Sequence, residues 1–313
     1  MQLINLKPDE YIGQADPFII EYQNRFYIYT TGKDGVYAYS SDSLFDSWKP
    51  EGRVFTFEGC EDFWAPSVIE LDGRFYMYCS FEFFGDTPDE GGHRQTMHVS
   101  VADSPLGPFK NAKQLLHPFS IDSHVVKNEA GLFIFYSTNN FDWERPGTYI
   151  CVDKMKDPYT VEGNPVTLIT PTLDEEIFRK NRYKQGVHWH TIEGAYYFKE
   201  GDYHYLMYSG SCYENENYFI GYAVSDEKEN DLTKLHFKKY PDENIFDPLF
   251  FSNSFEEGAG HNSMIKYDGQ WYAVYHARNR IDDGLPGDRR NARICKIDVD
   301  NGKMIAHRFP NSL

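Results

Sequence analysis

The chain has 313 residues and a formal charge of −17 from 31 basic and 48 acidic side chains, a balance that repels phosphate backbones and anionic lipid and argues for a neutral partner, with no nucleic acid and no membrane. Five widely spaced cysteines, Cys60, Cys79, Cys151, Cys212 and Cys295, include no CxxC pair, which argues against a disulfide framework or a zinc knuckle. The opening MQLINLKPDE holds no apolar leader and no run is long enough to cross a bilayer, so the expected location is the cytoplasm.

Aromatic residues form 17% of the chain, led by 24 Tyr and 24 Phe. Such residues favour pleated surfaces and stacking platforms. In chain order one unit recurs five times: ADPFIIEYQNRFYIYTTG from Ala15, APSVIELDGRFYMYCS from Ala65, IDSHVVKNEAGLFIFYST from Ile121, IEGAYYFKEGDYHYLMYSG from Ile192 and GHNSMIKYDGQWYAVYH from Gly260. Each copy has a marker, Asp16, Pro66, Asp122, Glu193 or His261, then a turn signal (QN, DG, NEAG, EGD or DG), then an aromatic strand. That order predicts two antiparallel strands with a tight connection, and a third strand follows in VYAYSSD, MHVSVADS, TYICVD, FIGYAVSD and ARICKIDVD.

One stretch, TLDEEIFRKNRYK at Thr172 to Lys184, reads as a short surface helix or loop. Radial repetition almost without helices predicts an all-β, five-bladed β-propeller, with residues 1–313 as a single catalytic domain. A β-sandwich, or two β domains, is the alternative. It leaves the five equivalent markers unexplained.

In a propeller the innermost strands line the axis, so Asp16, Asp122, Glu193 and His261 would converge there. Carboxylates beside apolar neighbours such as Phe18, Ile19, Val125 and Tyr196 are costly unless the charge is used. Glycoside hydrolysis uses such a set: a protonated acid for the leaving oxygen, an ionised base for water, and a third charge that tunes the acid. Taken singly, Asp16 before Pro17 and Asp122 can be turn or capping residues, and His261 a satisfied core histidine.

The motifs ADPF, IDSHV, IEGAY followed by YHYLMYSG, and GHNSM followed by WYAVYHAR resemble glycoside hydrolase family 43 over nearly the whole chain. The resemblance implies an inverting mechanism with Asp16 as general base, Asp122 as the residue tuning the acid and Glu193 as general acid. It also implies a structural calcium on the axis, held mostly by water, with His261 as its protein ligand, and no organic cofactor. The opening ADP and the run through HWHTIEG are similar to exo-acting α-L-arabinofuranosidases that act on α-1,5-linked arabino-oligosaccharides. Alternatives are a β-xylosidase acting on xylo-oligosaccharides, and a noncatalytic propeller that binds carbohydrate or protein. Expected substrate contacts are Trp64, with Phe63 a poorer stacking neighbour, then His188, Trp189 and His190 as a wall near the leaving group, and Arg290. Arg278 and Arg293 are expected nearby, each also readable as a surface ion pair. The surplus of Tyr and Phe suits a sugar subsite or the interface of a homo-oligomer equally.

Overall fold

Tight turns set the frame. Gln23–Asn24, Asp72–Gly73 and Asp268–Gly269 have positive φ at both central positions, as a type I′ turn requires, and each joins two antiparallel strands. The computed structural model describes residues 1–5, 11–83, 85, 87–281, 284 and 287–308.

Five antiparallel units follow one another. The first runs through Phe18–Tyr22, Arg25–Thr30, Val36–Ser41 and Lys49–Phe55, and the second through Cys60–Leu71, Arg74–Phe83, Thr96–Ala102 and Lys110–Gln114. The third has Ile121–Asn128, Gly131–Asn140 and Gly147–Asp157, with short strands on the last. The fourth has Val187–Glu200, Tyr203–Gly210, Phe219–Ser225 and Lys238–Lys239, and the fifth Glu256–Tyr267, Gln270–Asn279, Asn291–Asp300 and Lys303–His307. A short parallel pairing, Gly147 with His190 and Thr148 with Thr191, joins units three and four.

The aromatic runs lack polar alternation because both faces of these strands are buried. Along Arg25–Thr30, Phe26 and Ile28 pack toward unit five, whereas Tyr27 and Tyr29 pack toward unit two. Corresponding cores lie between units two and three, three and four, and four and five. The first strands follow the same circuit, each against that of the next unit and the fifth back against the first. Residues Met1 to Leu3 run antiparallel along the third strand of unit five through Leu3 N–H to Ala292 O and Ile294 N–H to Met1 O. Beneath that seam the buried Glu256 carboxylate accepts from Arg308 Nε (2.7 Å) and Tyr275 Oη (3.0 Å) and pairs with Arg293 Nε at 3.2 Å.

The segment read as a helix or loop is a strand. After one 3-10 turn at Asp174–Glu176, Ile177–Lys184 forms a hairpin with Val187–Glu200, closed at Gly186 with φ of 84°. The exposed edge of Val187–His190 supplies a partner whose backbone pairing outweighs the weak helical pattern.

Four of the five first strands carry the same irregularity. Trp64 pairs with Ser80 but Ser67 with Tyr78, Ile121 with Ser137 but His124 with Phe135, Glu193 with Ser209 but Tyr196 with Met207, and Gly260 with His276 but Ser263 with Val274. One extra residue is thus inserted as a β-bulge. The residue after the first pair is left-handed: Ala65 (φ 44°), Asp122 (57°), Gly194 (66°) and His261 (43°), with Asp16 (54°) in unit one. The repeat-equivalent residues are therefore Asp16, Ala65, Asp122, Gly194 and His261, and the expected alignment is one residue out of step at Pro66 and Glu193. Four of the five carry a side chain there at about 1–2 kcal/mol each.

Glu256→Gln removes the charge that offsets the buried Arg293 and the half-buried Arg308 and is expected to destabilise the fold by about 3–5 kcal/mol. Urea unfolding, read as a lower midpoint at unchanged slope, checks this.

Candidate active site

The bulges turn side chains into one cavity of about 290 Å³, lined by Asp16, Asp122, Glu193, His261 and Arg290 together with Thr31, Asp62, Trp64, Ile121, Tyr213 and Tyr218. Its floor is a set of hydrogen bonds from bulge amides to side chains of neighbouring units. Asp16 N–H donates to His276 Nδ1 (3.1 Å), Ala65 N–H to Thr31 Oγ1 (2.8 Å), Gly194 N–H to Asp122 Oδ2 (2.9 Å) and His261 N–H to Ser209 Oγ (2.7 Å).

Asp16 is buried and surrounded by donors and cations. Thr31 Oγ1 donates to its Oδ2 at 2.5 Å, and Oδ1 lies 3.3 Å from His276 Nδ1, 3.5 Å from Arg290 Nη1 and 3.6 Å from His261 Nδ1. Burial alone would push this carboxyl up, but the Arg290 guanidinium, His261 and His276 outweigh burial and hold it far below the usual range. Asp16 is therefore ionised at neutral pH.

Glu193 and Asp122 are pushed the other way. Burial raises Glu193 to about 7, with the Asp16 charge adding to the rise and the Tyr218 hydroxyl and Arg290 opposing it. Asp122 lies well above the ordinary carboxyl range because it is buried and faces the negative charges of Glu193 and Asp16. Two such groups titrate as a pair, so one proton is retained between them at neutral pH. An ionised carboxylate and a protonated carboxyl on one cavity are the equipment for simultaneous base and acid assistance.

Arg290, expected as a sugar contact, lines the cavity. Its Nε and Nη2 donate to Asp288 at 3.0 and 2.7 Å, and its guanidinium lies 4.9 Å from the centroid of the Tyr213 ring. Arg278 stands behind this wall, donating to the Tyr213 and Asn215 carbonyls at 2.8 and 2.6 Å, while Arg293 belongs to the Glu256 cluster. Trp64 lines the cavity, and Phe63 is fully buried against Phe55 and Phe81.

His188, Trp189 and His190, expected as a wall, lie outside the lining. Their strand edge is occupied by the Ile177–Lys184 hairpin, which draws Trp189 beneath Phe141 and Tyr183 and sets His190 Nε2 3.0 Å from Arg145. Their place is taken by Tyr213 and Tyr218 from the following loop. The sequence reading also missed Thr31, Asp62 and His276. Thr31 and His276 occupy the position paired with the residue just before the bulge, a regularity visible only once the bulges are aligned.

His261 Nδ1 sits 3.7 Å from Asp122 Oδ2 as well as 3.6 Å from Asp16 Oδ1. Among the described residues no three His, Cys, Asp or Glu side chains are gathered as a metal cage. Calcium takes about six to eight oxygen ligands, so an ion beside this single nitrogen would depend on water for nearly all of them.

The sequence can be compared with characterised proteins. It is 26% identical over 309 residues to the extracellular exo-alpha-(1->5)-L-arabinofuranosidase of Streptomyces avermitilis, covering 91% of this chain and 59% of that protein. It is 26% identical over 209 residues to the arabinan endo-1,5-alpha-L-arabinosidase A of Aspergillus niger, covering 63% and 58%. The chain thus spans about three fifths of the length of these relatives. Among solved structures, a thermostable family-43 glycoside hydrolase superposes with a TM-score of 0.74 at 28% identity, covering 96% of this chain and 97% of the other. The cytoplasmic expectation is corrected here, because the Streptomyces relative is an extracellular protein. Scattered cysteines were a poor guide to compartment, since a chain of this size builds its core without disulfides. The description Glycosyl hydrolases family 43 matches residues 12–304, and with a match of that extent the chain belongs to this family.

Proposed function

We propose that the protein is an inverting glycoside hydrolase that releases terminal α-L-arabinofuranosyl units from α-1,5-linked arabino-oligosaccharides, and that its five units are the blades of a five-bladed β-propeller. The ring of packed first strands supports the architecture. One observation carries the chemistry: three buried carboxyls share a single cavity, where the Arg290 guanidinium holds Asp16 low while burial raises Glu193 and Asp122, which retain one proton between them.

In this reading the terminal sugar fills the cavity, with an apolar face on Trp64. Glu193 gives its proton to the glycosidic oxygen as that bond breaks, and Asp16 takes a proton from the water that attacks the opposite face of the anomeric carbon. Asp122, bonded to the amide next to Glu193 and negatively charged whenever Glu193 holds the shared proton, keeps the acid loaded. Arg290 keeps Asp16 from competing for that proton. A calcium ion beside His261 belongs to this proposal only as a hydrated structural ion, and no step runs through it.

A second reading, internal cleavage of arabinan, is favoured by one feature. A cavity of about 360 Å³ adjoins the first and shares Thr31, Asp62, Trp64 and Arg290 with it, leaving room beyond the first sugar. Single arabinose units released from arabino-oligosaccharides support terminal action, whereas early mixed oligomers support the internal mode. Faster turnover of nitrophenyl xyloside than of the arabinofuranoside would overturn the arabinoside assignment.

Glu193→Gln and Asp16→Asn are each expected to lower kcat by about 10²–10⁴-fold with retained binding by calorimetry. Unchanged behaviour of both would return the protein to a binding role. For the native enzyme, kcat/KM is expected to hold on the acid side of neutrality and to fall above pH about 7, where Glu193 loses its proton. In Arg290→Gln the low carboxyl of Asp16 rises, so the acidic limb is expected to move up by about 1–3 pH units, measured as kcat/KM against pH.

A further inference from the structure

We propose that Tyr218 is the positioning residue of the acid: its hydroxyl binds Glu193 Oε1, which leaves Oε2 as the oxygen that delivers the proton, and Gly260 is bare because the tyrosine ring crosses it. This rests on the assignment of Glu193 as acid and specifies which of its oxygens acts.

Tyr218 is 1% exposed, and its Oη donates to Glu193 Oε1 at 2.8 Å. A carboxyl oxygen that accepts from a fixed donor is the carbonyl-like one, so the proton of the neutral acid resides on the other. The donor is constant. Burial and the nearby charges of Glu193, Asp122 and Asp16 hold the phenol well above its ordinary range, so it keeps its hydrogen at every pH where Glu193 titrates.

The ring's location has its own cause. A Cβ on Gly260 would lie 1.8 Å from Tyr218 Cε1 and 2.1 Å from Cδ1. Gly260 is not in the left-handed region, so its backbone would accept any residue; the requirement is space alone. On its far side Tyr218 stacks against His276, with centroids 5.8 Å apart and planes inclined by 8°. His276 is fully buried and accepts the Asp16 amide hydrogen. One stack therefore touches the acid through a hydroxyl and the base through its backbone, and the two carboxyls are held in a common frame.

The test reads Glu193 with and without turnover. Carboxyl ¹³C NMR of glutamate-labelled protein, with the Glu193 signal identified by its loss in Glu193→Gln, is followed against pH beside kcat/KM on nitrophenyl arabinofuranoside. In Tyr218→Phe the carboxylate loses its donor, so the Glu193 midpoint and the alkaline limb are expected to rise together by about one pH unit, with kcat at the optimum falling roughly tenfold. Gly260→Ala, which retains the hydroxyl but displaces the ring, is expected to give the same upward shift. A Glu193 midpoint unmoved in Tyr218→Phe overturns the proposal, whatever happens to kcat. If the native protein hydrolyses no arabinofuranoside, the hydrolase reading fails while the NMR midpoint still decides the role of Tyr218. If Gly260→Ala does not fold, Tyr218→Phe alone decides.

Discussion

Backbone amides at the left-handed positions Asp16, Ala65, Gly194 and His261 tie their strands to the neighbouring units and set the side chains around the cavity. The left-handed residue cannot continue the ladder, so its N–H must find another acceptor. Ser209 and His276, from the second strand of the neighbouring unit, and Thr31, directly after such a strand, supply it in three cases, and Asp122 itself supplies it at Gly194. These four amides, which would otherwise be costly where the first strands pack together, are satisfied by side chains. The strained geometry of Asp16, Asp122 and His261 is over-determined by these contacts, as strain at functional sites requires.

That geometry also sets the charges. Asp16 and Glu193 are both carboxyls in the same buried space, and burial pushes both upward. They part because the Arg290 guanidinium lies 3.5 Å from Asp16 Oδ1 and the Thr31 hydroxyl donates to Oδ2, whereas Glu193 accepts from a neutral donor, Tyr218. Asp122 has another carboxyl as its strongest charged neighbour. Base and acid are thus distinguished by neighbours that arrive from units far apart in sequence, rather than by the identity of Asp against Glu.

Where the sequence reading failed, the cause was local order set by distant partners. His188, Trp189 and His190 precede Glu193 directly and were expected to share its cavity, yet the pairing of Trp189 with Arg179 and of His190 with Ile177 and Gly147 turns them into the sheet. The same hairpin makes the charged stretch before Lys184, expected as a short helix or loop, a strand. At Pro66 and Glu193 the repeat was displaced by one residue, because the marker is a backbone conformation that Asp, Ala, Gly and His all adopt here. Glu193 reaches the cavity from the residue before the bulge and was found despite the displacement.

The sequence alone determined what local chemistry encodes: five copies of a strand–turn–strand unit, turns with the right residues for positive φ, aromatic strands, and three carboxyls at the start of apolar strands. Those features follow from steric preference and hydrophobic burial within about twenty residues. Only the tertiary structure decided which side chains surround each carboxyl, and with them which is ionised and which keeps a proton. Arg290, His276 and Tyr218 act on Asp16 and Glu193 across units, and the energies involved depend on distances of a few ångströms in a buried space, which no pattern along the chain records.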